Sequence, residues 1–145
     1  MSFDPPGSIT PDISRSVAKQ TVNATGSIIN KFTPVKISMS GMQVMTPDVE
    51  ADIDAFVGVT RTDVPNGSNG EIVNSGIVED VPGSYAPGES VFVSKTGGIT
   101  NVKPSNGVAG FTSGDFVIKL GVITKNEGNP LLRDCILFVQ IIGQL

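Results

Sequence analysis

The residues of this sequence that could do catalytic or metal-binding chemistry are few. The chain has no His, the commonest general base and metal ligand, and a single Cys, Cys135. One Cys forms neither an intrachain disulfide nor, without further ligands, a structural zinc site. Because there is no His to activate its thiol, we interpret Cys135 as a small apolar residue of the core rather than as a nucleophile.

Carboxylates are the remaining candidates, and the densest group occupies every second position, at Asp48, Glu50, Asp52 and Asp54. On a strand these side chains share one face, which indicates a solvated acidic surface. Calcium binding is the alternative, but the spacing lacks the Gly and the terminal Glu of an EF-hand loop. The sequence therefore predicts a protein that is not an enzyme and that holds no metal and no cofactor.

The elements available to position side chains are strands. Of the 145 residues, 43 are Val, Ile or Thr and 11 are Leu or Ala, and β-branched side chains favour strands over helices. The 17 Gly and 10 Pro residues indicate frequent turns. We predict an all-β fold, a small barrel or sandwich of short antiparallel hairpins with an extended N-terminal arm.

The division of the chain follows from its first segment. Residues 1–34 are predicted to form the arm and residues 35–145 the β body, because three prolines in the first twelve residues exclude regular helix there. A disordered terminus is the alternative, but apolar side chains scattered through the segment favour an arm that contacts another surface. Four basic and two acidic residues precede Pro47, which is too sparse a charge for a nucleic-acid arm.

The body shows short strand patterns separated by turns. Residues 35–39 alternate between apolar and polar, Gly41 predicts a bulge, and Met39, Met42 and Met45 are predicted to fill the core. The sequence Pro-Asn-Gly-Ser-Asn-Gly at 65–70 predicts an exposed hairpin loop. Residues 88–100 and 114–124 both read Gly, acid, strand, Gly, strand, and predict two related hairpins.

The last apolar segment, residues 134–142, does not alternate. Continuous apolar character indicates burial on both faces, either in the middle of the fold or at a subunit interface. We predict that this segment supplies an interface between copies of the chain, through Ile136, Phe138, Ile141 and Ile142.

Five motifs of the body carry a resemblance to a known family: Phe56-Val57-Gly58-Val59, Ile72-Val73, Gly76-Ile77-Val78, the segment 87–93 (Pro-Gly-Glu-Ser-Val-Phe-Val) and the segment 114–123 (Gly-Asp-Phe-Val-Ile-Lys-Leu-Gly-Val-Ile). In this order they resemble the small decoration or cement proteins of tailed-bacteriophage heads, over the last 90 or so residues. The resemblance implies an all-β protein on the outer capsid surface that braces neighbouring major capsid subunits as a dimer or trimer. The longer N-terminal segment departs from the compact members of that family.

The expected function is therefore that of a capsid cement protein of a phage virion, whose partners are the major capsid protein and other copies of itself. The capsid contacts are expected in the arm, at Phe3, Ile9, Ile13, Arg15 and Lys19. No basic start followed by an apolar run marks a secretory signal, and no apolar stretch reaches the roughly 20 residues of a membrane helix. We therefore expect synthesis in the host cytoplasm and neither a membrane nor a nucleic acid as partner.

A binding module on the particle surface is the alternative function. In that case the loop Asn66–Gly70 would form the tip that contacts a host receptor or glycan. The chain has one Tyr and no Trp, so few aromatic rings are available for stacking against a sugar.

Overall fold

The computed structural model describes residues 17–145, with side chains from Lys19 onward, and this part of the chain is built from strands. One short helix, α1, spans Glu50–Ala55. The strands are β1 Val17–Val22, β2 Pro34–Ser38, β3 Gly41–Val44, β4 Phe56–Thr60, β5 Asn69–Val78, β6 Ser90–Val93, β7 Ile99–Thr100, β8 Phe116–Lys125 and β9 Arg133–Gln144. No helix in this range is long and apolar enough to cross a membrane.

All pairings between these strands are antiparallel, and they join one sheet in the order β3-β2-β4-β5-β9-β8-β6-β7, with β1 added to β5. The sheet does not close into a barrel, so of the two architectures expected from the sequence, the barrel is not formed. The all-β fold of antiparallel hairpins is confirmed.

The core lies under the middle of the sheet and forms two clusters. The larger one contains apolar side chains from β4, β5, β6, β8 and β9, with Ile118, Leu120 and Ile123 of β8 completely buried. The smaller one joins Ile29 and Val64 to side chains of β2, β3 and β5. Burial of this many large apolar side chains is the main source of stability of a domain of this size.

The chain enters the sheet earlier than Pro34. Strand β1 pairs with the first half of β5, from Val22 opposite Asn69 to Val17 opposite Ser75. Farther along, Ile29 forms a bridge with Val64, and Phe32 is buried in the larger cluster. Residues 17–34 are therefore attached to the body, and the rest of the predicted arm, residues 1–16, lies outside the described residues.

Three local expectations are wrong. Gly41 does not form a bulge: it pairs with Ser38 and closes a two-residue turn, so Met39 is fully exposed at the tip, whereas Met42 and Met45 are buried as expected. The unit 114–124 is not a hairpin, because β8 runs through it as one strand; its counterpart 88–100 does form the β6–β7 hairpin. Strand β9 passes so close to β8 at Gly121 that this position has no room for a side chain.

Strand β9 has a free edge near its end. Strand β5 pairs with β9 from Cys135 to Phe138, whereas β8 pairs with β9 as far as Gln144. Between residues 139 and 144, the edge of β9 that faces away from β8 is therefore not paired with any strand of the part of the chain that the structure describes. We call this stretch the open edge of β9.

Candidate functional site

The sheet exposes large apolar side chains on β9. Ile136, Phe138, Ile141 and Ile142 are 50, 63, 52 and 53% exposed, and we call this group the β9 contact surface. Their intervening neighbours Cys135 and Leu137 are buried in the larger cluster. The sequence therefore identified apolar residues that the described fold leaves uncovered, but the expectation of a segment buried on both faces within one chain is wrong.

The β9 contact surface continues onto the neighbouring strands. Ile136 lies opposite Ile77 of β5 on one side and opposite Val122 of β8 on the other. Ile77 is 37% exposed and Val122 is half-buried, so a row of β-branched side chains crosses three strands. Contiguous apolar groups of this kind on a folded protein mark interaction sites more often than scattered ones do.

The residues predicted to contact a capsid lie mostly outside the described residues. Phe3, Ile9, Ile13 and Arg15 belong to residues 1–16, and Lys19 lies exposed on β1, opposite Ile72.

The position at which the N-terminal segment joins the sheet is nevertheless defined. The backbones of Val17 and Phe138 both pair with Ser75 of β5. The segment 1–16 therefore joins the body next to the β9 contact surface. Sequence reasoning did not foresee this neighbourhood, because it depends on pairings between strands that are more than fifty residues apart.

The acidic segment 48–54 does not form a strand. Residues 50–55 form α1, so the four carboxylates do not share one face. Asp52 is buried, forms an ion pair with Lys36 of β2 and accepts a hydrogen bond from the Thr46 backbone at 3.2 Å. Within residues 17–145, no three His, Cys, Asp or Glu side chains are grouped as metal ligands. The prediction of a solvated acidic face is wrong for Asp52, whose carboxylate fixes α1 to the sheet.

A second ion pair joins the loop between β6 and β7 to the segment that precedes β8. The Lys95 Nζ donates to both carboxylate oxygens of Asp115, at 2.9 and 2.8 Å, and lies 3.6 Å from the Asp48 carboxylate. Asp115 is 3% exposed and also accepts a hydrogen bond from the Thr112 backbone. We call this arrangement the Lys95–Asp115 clamp. Its role is structural, because both carboxylate oxygens of Asp115 accept hydrogen bonds from within the protein.

The clamp shifts the pKa values of its members. Burial alone raises the pKa of Asp115, but the Lys95 ammonium and the Thr112 hydrogen bond outweigh it and hold the pKa below its ordinary value. The hydrogen bond to Asp115 raises the pKa of Lys95 in return. The one sequence feature that pointed to the clamp is the Gly114-Asp115 pair at the start of the unit 114–124.

Cys135 has no environment suited to nucleophilic chemistry. Its side chain is completely buried in the larger cluster, and this burial raises the pKa of the thiol to about 12. A thiol with so high a pKa is protonated and unreactive at neutral pH. Its place in the core agrees with the interpretation made from the sequence.

Two exposed features could serve the alternative function. The loop at 66–69 is exposed and firmly held, since Asn23 donates to the Val64 carbonyl at 2.8 Å and the Gly67 backbone donates to the Asn23 carbonyl at 2.9 Å. A shallow, open hollow of about 420 Å³ lies elsewhere, between Tyr85 and Arg133. The Arg133 Nε atom is already bonded to the Tyr85 carbonyl at 2.9 Å, so this arginine supports the wall of the hollow.

Comparison of the chain with protein-family models, with curated protein sequences and with solved structures gives no match. A function for this chain therefore has to be inferred from its own residues and their geometry. A fold does not need exposed apolar side chains or an unpaired strand edge for its own stability. Among the described residues, the β9 contact surface and the open edge beside it have these properties.

Proposed function

We propose that this protein is a structural protein of a tailed-phage particle, which binds the outer surface of the capsid and stabilises the contacts between major capsid subunits. The observation that carries the proposal is the β9 contact surface, where four large apolar side chains remain exposed on a well-packed sheet. Such a surface is suited to a protein that works by contact. The choice of a capsid as the partner rests on the resemblance of residues 56–145 to cement proteins.

The mechanism of such a protein is thermodynamic. A ligand that binds the assembled shell and not its separate subunits stabilises assembly by mass action, in proportion to its affinity and concentration. An N-terminal segment that joins the body beside the β9 contact surface can add main-chain hydrogen bonds to exposed strand edges of the shell. In this proposal residues 1–16 and Lys19 bind the capsid, and β9 joins copies of the chain on its surface.

The experiment measures cosedimentation of the purified full chain with undecorated heads of the phage that encodes it. We expect saturable binding by the full chain and at least a roughly hundredfold loss of affinity on deletion of residues 2–16. The deletion stops at residue 16 because β1 begins at Val17, so the sheet is left intact. An unchanged melting temperature of the shortened chain verifies that the body still folds.

A matched pair of variants tests whether the N-terminal segment contributes to head binding through its apolar side chains. Ile9→Ser combined with Ile13→Ser is expected to weaken head binding, whereas Ser8→Ala combined with Ser14→Ala is expected to leave it unchanged. Full binding by the shortened chain would show that the capsid contacts lie elsewhere. Absence of saturable binding by the full chain would contradict the cement function itself.

The second candidate function, recognition of a host receptor or glycan, is favoured by the exposed loop at 66–69. The hydrogen bonds of Asn23 attach this loop to the body, and Asn66 Oδ1 accepts one more from the Gly26 backbone at 2.9 Å, while residues 66–69 remain exposed. This function predicts that the chain binds host envelope material more tightly than undecorated heads, and that Asn66→Ala with Ser68→Ala abolishes that binding. Preference for heads, insensitive to these substitutions, supports the cement function.

A further inference from the structure

The end of β9 combines exposed apolar side chains with an open backbone edge. All residues from Gln140 to Gln144 are exposed, and Ile141 and Ile142 are 52 and 53% exposed. The pairing with β8 shifts register here, since Ile118 lies opposite Ile141 and Val117 lies opposite Gly143, so Ile142 is the extra residue of a bulge. The open edge adds unpaired backbone groups along the same residues.

We propose that the open edge of β9 pairs with the open edge of β9 in a second copy of the chain. Antiparallel pairing about a twofold axis near Ile141 and Ile142 would continue the sheet from one protomer into the other. The added strand would satisfy those backbone groups of residues 139–144 that face the open edge, and it would cover apolar area of the isoleucines there. An interface of this kind is isologous, since each copy contributes the same residues. The proposal does not depend on capsid binding.

Charge supports a second copy as the occupant. The chain has a formal net charge of −4, so two copies repel unless the contact itself is neutral. Residues 135–145 contain no Asp, Glu, Lys or Arg, so the part of β9 after Asp134 is uncharged in an acidic protein. They also contain no Pro, so two of the devices that protect a free apolar edge, charged residues and proline, are absent there, and the bulges of β9 are the device that remains. An uncharged edge without proline is consistent with one that is covered in the assembled state.

The chain's own N-terminal segment is a poorer occupant. Strand β1 runs from Val17 opposite Ser75 to Val22 opposite Asn69, while β9 leaves Ser75 at Phe138 and continues to Gln144. Followed back to Val17, β1 therefore runs along β5 in the direction of Gly76, opposite to the direction in which the open edge extends. Three of the sixteen residues before Val17 are prolines, which have no N–H to donate to a strand partner.

The first test measures the mass of the full chain by light scattering and sedimentation over a range of concentrations. We expect a monomer–dimer equilibrium, and we expect Ile142→Lys to raise the dimer dissociation constant at least about tenfold. Leu131→Lys is the matched control, because Leu131 is even more exposed, at 88%, but lies in the loop between β8 and β9. A full chain that stays monomeric, or a dimer that survives Ile142→Lys, would overturn the proposal.

The second test is cysteine cross-linking, which also covers the case in which Ile142→Lys fails to fold. Single substitutions to Cys at Gln140, Ile141, Ile142 and Gly143 are oxidised, with Cys135 silent because it is buried. Near the twofold axis a residue lies opposite its own copy, within disulfide reach, so the yield of covalent dimer should peak at one or two adjacent positions. Each step of one residue away from the axis separates the two copies by about 6.6 Å more.

Ile136→Cys distinguishes edge pairing from face-to-face packing. It lies on the β9 contact surface but before the open edge, and edge pairing predicts no covalent dimer there. A yield that is highest at Ile136→Cys or Phe138→Cys would overturn the proposal in favour of packing through one face. Dimers that form only after deletion of residues 2–16 would overturn it as well, because the N-terminal segment would then be what covers the edge. Dimer formation in that shortened chain as in the full chain supports it.

Discussion

At the scale of single residues, the buried charges of this protein serve its fold. The Lys95–Asp115 clamp is an example, since the Asp115 carboxylate is buried and bound by both Lys95 and the Thr112 backbone. A carboxylate whose folded pKa is lowered stabilises the fold above its unfolded pKa, and the contribution is lost as the pH falls through the folded pKa. For Lys95, whose pKa is raised, the contribution is present below its ordinary value of 10.5 and is lost above it.

The clamp therefore predicts a specific acid sensitivity. Asp115→Asn should lower the melting temperature by about 3–10 °C at pH 7, where the wild-type carboxylate is ionised and bound to Lys95. The difference between variant and wild type should shrink as the pH falls below 3.8, the ordinary pKa of an Asp. Melting curves at pH 7 and pH 3 measure it.

The control for this prediction is Asp54→Asn, because Asp54 is exposed on α1. We expect that substitution to change the melting temperature by less than about 2 °C at either pH. A penalty for Asp115→Asn that is equally large at pH 3 and pH 7 would show that shape, and not charge, holds the two loops together.

At the scale of elements, the fit of β8 against β9 depends on Gly121. A Cβ atom built on Gly121 would lie 2.1 Å from the Ile136 carbonyl oxygen and 2.9 Å from the Cys135 sulfur. Gly121→Ala should therefore push the two strands apart and lower the free energy of unfolding by about 1–3 kcal/mol. Urea unfolding at one low protein concentration measures the loss.

Gly143→Ala is the matched control in the same pair of strands, since no atom lies within 4 Å of the position of its Cβ. We expect it to change the free energy of unfolding by less than about 0.5 kcal/mol. Equal effects of the two substitutions would contradict the close approach of β9 to Gly121.

The elements also show how far the sequence alone predicts this structure. Alternation and turn residues identified β2 and β6, because these features are local. The helix at 50–55 was missed, since the pattern of alternating carboxylates fits a strand equally well and the ion pair with Lys36 that holds Asp52 inward is a long-range contact. Strand β1 was missed for the same reason: its partner β5 lies some fifty residues farther along the chain.

The candidate site was predictable in composition but not in geometry. The apolar character of Ile136, Phe138, Ile141 and Ile142 is visible in the sequence, and so is their lack of charged neighbours. That β5 pairs only as far as Phe138, and so leaves the open edge, follows from the register of strands distant in sequence. Register is set by the packing of the whole sheet and has no local signature.

At the scale of the whole molecule, the features fit a protein whose activity is to bind and brace. An antiparallel sheet supports an apolar surface on β9, and the N-terminal segment joins the body beside it. The body is acidic, and the part of β9 after Asp134 carries no charge, so association depends on apolar area and backbone pairing more than on salt-sensitive attraction. Self-association through β9 would multiply the capsid contacts of each bound unit and so raise its affinity for the shell.

The proposed function requires that this chain stabilises an assembled capsid by binding to it. Calorimetry of undecorated heads, with increasing amounts of the full chain added, is the decisive measurement. We expect the melting temperature of the heads to rise and to reach a plateau at the ratio of chain to head at which binding saturates. Heads that melt at the same temperature with and without bound chain would contradict the proposed function.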